Sequence, residues 1–390
     1  MVAPKLRFKE FNNDWSLKKL GDLSFKPQYG MNSSATEFDG ENKYLRITDI
    51  NEDDHSFNFS KLTSPADDLD DKYLLKNGDL LFARTGASVG KSYLYNSKDG
   101  KVYFAGFLIK FSLQTEVNPY FIFSQTLSKK FQNWVITNSM RSGQPGINAE
   151  EYSLLPISFT SLKEQTKIAT FLAAVDEKIT QLTQKHQLLS QYKQGMMQKL
   201  FSQQIRFKAD DGSEFGDWEN ISVKEIFDVT RGQVLAVSNT VSVADTDYKY
   251  PVFSSQTKQK GLMGFYKKYL FEDALTWTTD GANAGDVNFR KGKFYCTNVC
   301  GVLLSKKGYA NLCIAEILNK VTHKYVSYVG NPKLMNNVMS EIPITIPSNL
   351  EEQTKIANFL SAIDQKIEVT EQQIEQAKQW KKGLLQQMFV

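Results

Sequence analysis

Two stretches of this 390-residue chain have the residue types and spacing for phosphate or metal chemistry. Thr85-Gly86-Ala87-Ser88-Val89-Gly90-Lys91-Ser92 comes close to a phosphate-binding loop, in which backbone amides cradle the phosphates and a lysine meets their charge. Thr85, however, stands where the first glycine belongs. Tyr93-Leu94-Tyr95 then reads as a strand, whereas such a loop must open a helix. A sister stretch, Asp280-Gly281-Ala282-Asn283-Ala284-Gly285-Asp286, puts an aspartate where Lys91 stood, and an aspartate repels phosphate. The acidic groups Glu52-Asp53-Asp54, Asp67-Asp68 and Asp70-Asp71 have no counterpart in the second half and no nuclease-type lysine spacing, so they read as solvated loop faces.

Methyl transfer fares no better. Asn118-Pro119-Tyr120 lacks the second proline of the Asn-Pro-Pro-Tyr motif used in methylating DNA amino groups, and no glycine-rich S-adenosylmethionine loop precedes it. Cys296, Cys300 and Cys313 are odd in number and lack Cys-x-x-Cys spacing, which supports neither a disulfide framework nor a zinc site. No catalytic residue, metal or cofactor is therefore expected. What remains is a set of polar, glycine-turned loops carrying basic residues. Arg84, Ser88 and Lys91 surround one glycine turn, and Asn283 and Arg290 lie near its sister. Arg141 and Gln144 mark a second loop, and Gln256, Lys258 and Lys260 a third. Arginine reads guanine edges, Asn and Gln read adenine edges, and lysine meets phosphate, so this mixture suits a DNA duplex groove.

The elements that must carry these loops come in two copies. Residues 164–201 align without gaps to residues 352–389 with 18 identities, including the unbroken run Glu164-Gln165-Thr166-Lys167-Ile168-Ala169 repeated from Glu352 to Ala357. Fainter echoes precede each copy: Leu6-Arg7-Phe8-Lys9 returns as Ile205-Arg206-Phe207-Lys208, and Asp14-Trp15 as Asp217-Trp218. The order is variable module, constant segment, variable module, constant segment.

Each constant segment predicts one long helix. Ser161-x-x-Glu164 and Asn349-x-x-Glu352 are capping-box starts shortly after Pro156 and Pro347. A seam of Leu172, Val175, Ile179, Leu182 and Leu189, matched by Leu360, Ile363, Ile367, Ile374 and Leu384, has the spacing of a coiled coil. Polar gaps fall at His186, Lys193, Thr370 and Lys381, where lysine stems can snorkel outward. A helix of about 40 residues is roughly 60 Å long, too long for a small domain, so it must act as a strut. Two such seams pair most simply with each other, and twofold chain symmetry makes the pair antiparallel. The modules, rich in Tyr, Phe, Thr, Val and Gly, read as mixed α/β with short helices near Asn118–Trp134 and Asn311–Val321. The expected fold is α+β: two mixed α/β modules, 1–158 and 205–346, separated by long helices over 159–204 and 347–390 that pair as an antiparallel coiled coil.

The whole chain resembles the specificity subunit of type I restriction-modification enzymes. The resemblance rests on Leu6-Arg7-Phe8 with Trp15, a proline before Glu-Gln-x-Lys-Ile-Ala, and the repeat of that last run some 190 residues later. It implies a non-catalytic member of an adenine-methyltransferase and endonuclease complex, in which each module is a target-recognition domain reading one half of a split, asymmetric DNA sequence. It also implies that the helices set the spacer and dock two methyltransferase subunits, through which two translocating restriction subunits join. Gln165, Phe171 and Asp176, repeated as Gln353, Phe359 and Asp364, are the expected docking surface. Another reading is a coiled-coil adaptor that joins proteins without touching DNA.

Net charge is only +4, which excludes a wholly basic coat protein; by segment it is 0 for residues 1–160, +3 for 161–204, +2 for 205–347 and −1 for 348–390. Such mild charge gives weak DNA binding by the chain alone. No uncharged apolar run of about 18 residues and no apolar leader is present, so a cytosolic location is expected. If helix length sets the spacer, inserting four residues near Gln184 lengthens the gap between half-sites or abolishes assembly. Methylome sequencing checks this, and an unchanged gap at full activity refutes it.

Overall fold

The computed structural model describes residues 4–141, 143–255, 258–305 and 307–389. In chain order the helices are α1 (Pro119–Thr126), α2 (Lys129–Ser139), α3 (Ala149–Ser153), α4 (Leu162–Phe201), α5 (Val223–Ile226), α6 (Leu312–Thr322), α7 (Asn336–Glu341) and α8 (Leu350–Met388). Helices α4 and α8 run 40 and 39 residues without a break, as the repeated segments predict. No helix among the described residues is long and apolar enough to cross a membrane. The chain divides into two compact units, residues 1–184 with 371–390, and residues 185–370. Each unit therefore takes in one module, part of α4 and part of α8.

In the first unit a four-stranded antiparallel sheet runs in the order Gln28–Tyr29, Leu108–Phe111, Leu80–Ala83, Ser92–Leu94. Strand Ser16–Lys19 pairs antiparallel with Pro156–Phe159 immediately before α4. In the second unit a six-stranded sheet runs Phe227–Arg231, Cys300–Ser305, Phe271–Thr278, Val287–Cys296, Tyr250–Phe253, Leu262–Tyr266. There Trp218–Ser222 pairs with Pro343–Pro347, the same arrangement at the foot of α8. Asn118 and Asn311 cap α1 and α6, each accepting from a backbone amide three residues on, at 3.1 Å.

The long helices close both hydrophobic cores. In the first unit Ile168, Leu172 and Val175 of α4, with Leu384 and Met388 of α8 and Phe389 after it, join Trp15, Phe82, Phe111, Phe121 and Tyr152. In the second, Leu200 of α4 and Ile356 and Leu360 of α8 join Trp277, Leu303, Ile314 and Leu318. Burial of such side chains is worth about 1.5–3 kcal/mol each, so module and helix ends stabilise one another. The seam is thus only partly a helix-to-helix contact. Leu172, Val175, Leu360 and Leu384 lie in module cores, Ile363, Ile374 and Leu182 are buried, and Ile179, Leu189 and Ile367 are half-buried.

Within each unit the helices run antiparallel. Phe171 meets Trp380 edge-on at 6.0 Å in the first, and Tyr192 meets Phe359 at 6.5 Å in the second. The expectation that Lys193 and Lys381 snorkel away is corrected. Lys381 reaches Asp176 at 2.6 Å, and Lys193 reaches Asp364 at 2.8 Å and Glu316 of α6 at 3.0 Å. Burial works against the Lys193 charge, but Asp364 and Glu316 outweigh it and raise its pKa. Asp176 also accepts from the Tyr120 hydroxyl of α1, whose pKa is pushed up by burial and then by that carboxylate.

The capping boxes are likewise corrected. Ser161 and Asn349 accept from the backbone amides of Glu164 and Glu351, but the Glu164 and Glu352 carboxylates do not turn back to the caps. Glu164 instead receives Arg7 Nε at 2.7 Å and Nη2 at 2.9 Å, Trp15 Nε1 at 3.2 Å and the Thr160 hydroxyl. Glu352 receives Arg206 Nε at 3.0 Å and Nη2 at 2.8 Å. A guanidinium fork binds a buried carboxylate more strongly than a neutral amide does, so the arginine wins. Burial alone would raise the Glu164 pKa; hydrogen bonds from Arg7, Thr160 and Trp15 overcome that and hold it below the ordinary 4.5.

Replacing Arg7 with Ala leaves a buried carboxylate without its counter-charge and should cost about 3 kcal/mol, read by urea unfolding of the assembled chain. Because the folded pKa of Glu164 lies below its unfolded value, the pair stabilises the protein above about pH 4.5 and is lost as pH falls through the folded pKa. The deficit of Arg7→Ala should therefore shrink on acidification. A deficit that does not change with pH would refute an electrostatic origin.

Candidate nucleic acid interface

The two glycine turns have one backbone. Gly86 and Gly90 have φ of +70° and +87°, and Gly281 and Gly285 have φ of +95° and +96°, a region glycine enters without a Cβ clash. In the first unit Val89 N donates to Gly86 O, Gly90 N to Ala83 O and Gly86 N to Pro145 O, while Ile147 N donates to Arg84 O. In the second, Ala284 N donates to Gly281 O, Gly285 N to Thr278 O and Gly281 N to Pro332 O, while Leu334 N donates to Thr279 O. Each turn is thus pinned by a proline-containing loop 50 to 60 positions further on. The first turn leads into strand Ser92–Leu94 and not a helix, in keeping with the dismissal of a nucleotide loop.

Side chains on this frame differ between the units. In the first, the pinned loop brings Gln144 against Gly86, so the Arg84 turn and the Arg141–Gln144 loop form one surface. A hollow of about 590 Å³ opens beside it, lined among others by Tyr29, Asn32, Ser33, Arg46, Thr48, Arg84 and Phe107. Ser88 is half-buried and Gln144 exposed. Lys91 and Arg141, read as free basic groups, are both engaged. Lys91 is paired with Glu52 and Arg141 with Glu151, because acidic neighbours in the fold lie within reach of both.

In the second unit Lys260, Asn283 and Arg290 meet around a smaller hollow of about 200 Å³, together with Ser254, Asp286 and Asn288. Arg290 is not an exposed reader, a correction to the expectation. It is buried over the Phe253 ring at 3.7 Å, donating to Thr276 Oγ1 at 3.0 Å and Lys260 O at 2.7 Å, and burial pulls its pKa down to about 10. It holds the Lys260 turn in place, where Gln259 and Lys260 both have φ of +51°. Gln256 and the Lys258 side chain lie outside the described residues. The three cysteines are buried free thiols, and no group of three metal-type ligands occurs among the described residues.

The expected docking residues on the helices are also partly corrected. Gln165 and Gln353 are both 0% exposed, so neither presents a surface to a partner. Gln165 Nε2 donates to Thr160 O at 2.7 Å and its Oε1 accepts from Asn118 N at 2.9 Å; Gln353 does the same with Pro347 O at 2.8 Å and Asn311 Nδ2 at 3.0 Å. Asp176 and Asp364 are taken up by Lys381 and Lys193. Phe171 packs between Phe8 and Trp380, and Phe359 between Phe207 and Tyr192. Sequence reasoning missed Trp380 and Tyr192, which occupy equivalent repeat positions and are 54% and 51% exposed. It also missed Tyr29, Phe107, Pro145 and Pro332. The recurring aromatic was the available signal for the first pair; nothing local marked the others.

The sequence profile of the type I restriction modification DNA specificity domain matches residues 12–191 and 216–379. The chain belongs to the type I restriction-modification specificity family. A provisionally named type I specificity subunit of Mycoplasma pneumoniae, S.MpnORF201P, is 32% identical over 218 residues, 54% of this chain and 83% of the relative. A provisionally named type I restriction enzyme MjaX specificity subunit of Methanocaldococcus jannaschii is 24% identical over 412 residues, 98% of this chain and 94% of the relative. The crystal structure of a type I restriction-modification S subunit from M. genitalium superposes with a TM-score of 0.71 at 17% identity, covering 100% of this chain and 99% of that one, so the fold is shared. The chain is thus a DNA specificity subunit, and the expected family and fold class stand.

The turn gives a test of its own. A Cβ on Gly90 would lie 2.7 Å from Val135 Cγ1 at a φ of +87°, so Gly90→Ala should cost about 1–3 kcal/mol. It should impair recognition by the first unit only. Thermal melting with methylome sequencing reads both, and an equal loss in the two half-sites would argue against independent turns.

Proposed function

We propose that each compact unit reads one half of a two-part, asymmetric DNA target and that the chain supplies sequence choice while partner subunits supply the chemistry. One observation carries the reading: the same proline-pinned glycine turn occurs in both units with different side chains on it. Arg84 and Ser88, with Gln144 of the pinned loop, furnish the first, and Asn283 and Asp286 the second, with Lys260 beside it across the hollow. Equal frames with unequal readers suit unequal half-sites, much as dimeric DNA readers with equal halves suit palindromes. The candidates for groove contact are Arg84, Ser88 and Gln144 in one module and Gln256, Lys258, Lys260 and Asn283 in the other, with Lys91, Arg141 and Arg290 in supporting positions. The modules correspond to residues 1–158 and 205–346, and the spacer helices to 159–204 and 347–390.

The partner surface moves from the buried glutamines to the aromatic pairs Phe171–Trp380 and Phe359–Tyr192. These pairs are half-exposed and repeated, as two identical methyltransferase subunits would require. Restriction subunits would join through those methyltransferases. The modest charge of each module agrees with a grip on phosphate that depends largely on the partners.

Exchanging residues 1–158 for another module of the family should change one methylated half-site and leave the other intact; a change in both refutes the modular reading. Gel-shift titration of the chain with its methyltransferase should show sequence-specific retention, and its absence would favour the adaptor reading. Trp380→Ala with Tyr192→Ala should weaken methyltransferase binding by about 2 kcal/mol or more, measured by calorimetry, with little change in melting temperature.

A further inference from the structure

We propose that Arg84 reads a guanine within the half-site taken by the first unit; the assignment rests on the DNA-reading role proposed above. Of the four arginines in that unit, Arg7, Arg46 and Arg141 each pair with a carboxylate, namely Glu164, Asp49 and Glu151. Arg84 has no acidic partner among the described residues, and its Nε is buried without an acceptor. An arginine without a protein acceptor is costly to leave so, and the end of the fork that protein does not enclose, its Nη groups, is where an acceptor from outside the chain can meet it.

The guanidinium is also held in place. Its carbon lies 5.0 Å from the Tyr29 ring centroid and 5.8 Å from that of Phe107. The Tyr29 hydroxyl accepts from Ala149 N at 3.1 Å, and the Arg84 backbone is fixed by Arg84 N to Phe107 O and Ile147 N to Arg84 O. Tyr29 and Phe107 are 40% and 55% exposed, so the aromatic flanks of the fork face the hollow and not the core. A planar fork packed beside two rings has fewer rotamers to lose on binding, which favours a planar acceptor that takes two hydrogen bonds at once. On a duplex that acceptor is the O6 and N7 edge of guanine. A phosphate contact needs the charge but not the fixed plane. In the second unit the arginine nearest the matching turn, Arg290, is instead satisfied by Thr276 and Lys260.

The test uses the full chain assembled with its methyltransferase and compares wild type, Arg84→Lys and Arg84→Gln. Titrations are run on the cognate duplex and on duplexes with each first-half base replaced, over a salt series. Melting curves are recorded to confirm that each variant is folded. The expected result is that a guanine stands at one first-half position and that both variants lose about 10- to 100-fold of the preference for it, with the second half unaffected. Equal weakening on every duplex, a shallower salt dependence and rescue by Arg84→Lys would identify a phosphate contact and overturn the proposal. An unchanged motif at unchanged affinity would overturn it as well, while leaving the wild-type two-part recognition standing. A wild-type complex without sequence preference would remove both the proposal and the reading beneath it.

Discussion

A carboxylate taken out of water at the root of each long helix sets the terms for the rest of the molecule. Glu164 and Glu352 have side chains only 1% exposed, and an ion so placed is tolerable only when a counter-charge and further hydrogen-bond donors surround it. The donors come from the module that precedes each helix, as Arg7 with Trp15 and as Arg206. The module must therefore arrive in one orientation, with its opening segment against the first turn of the helix. Beside each carboxylate, Gln165 and Gln353 extend the same constraint to the caps of α1 and α6. Hydrophobic burial supplies the bulk of the attraction but has no direction, and these polar roots give it one.

The antiparallel pairing inside each unit follows the same logic further along. The Asp176 and Asp364 carboxylates each meet a lysine of the other helix, Lys381 and Lys193, at equivalent repeat positions. A register slip would leave four partly buried charges unpaired. Tyr120 and Glu316, from α1 and α6, reach into the same clusters, so module and helix pair share them. Two dissimilar modules can use one kind of socket because the socket asks for a donor or acceptor at a place, not for a given fold around it.

Much of this was legible in the sequence, and the limits have a physical pattern. The 3.5-residue period, the duplicated run from Glu164 to Ala169 and the glycine spacing are local regularities, and the long helices and paired turns appear where they point. The assignments that changed all depend on a partner distant in the chain. Glu164 looks like a capping residue until Arg7, 157 positions away, takes it; Lys193 looks like an outlier until Asp364 and Glu316 meet it; Arg290 looks like a reader until Thr276 and Lys260 close on it. A local pattern records which face a residue occupies, and the strongest polar interactions are then decided by what the fold brings to that face.

The distribution of side-chain and backbone bonds explains how one scaffold can carry different specificities. At the helix roots each bond is made by a side chain, to another side chain or to a backbone carbonyl, so the residue types Arg, Glu and Gln recur in both copies. At the glycine turns the tying bonds, Gly86 N to Pro145 O, Ile147 N to Arg84 O and their twins, run between backbone groups. Backbone bonds do not depend on which side chain is attached, provided the glycines that must take positive φ remain. The residues there that do not pack into the cores, such as Ser88, Gln144 and Asn283, can thus be replaced without loss of the frame, whereas Ala284, Ile147 and Leu334 belong to the cores. That separation places stability in the roots and cores and leaves the reading surface free to vary, which a subunit whose task is choice of sequence requires.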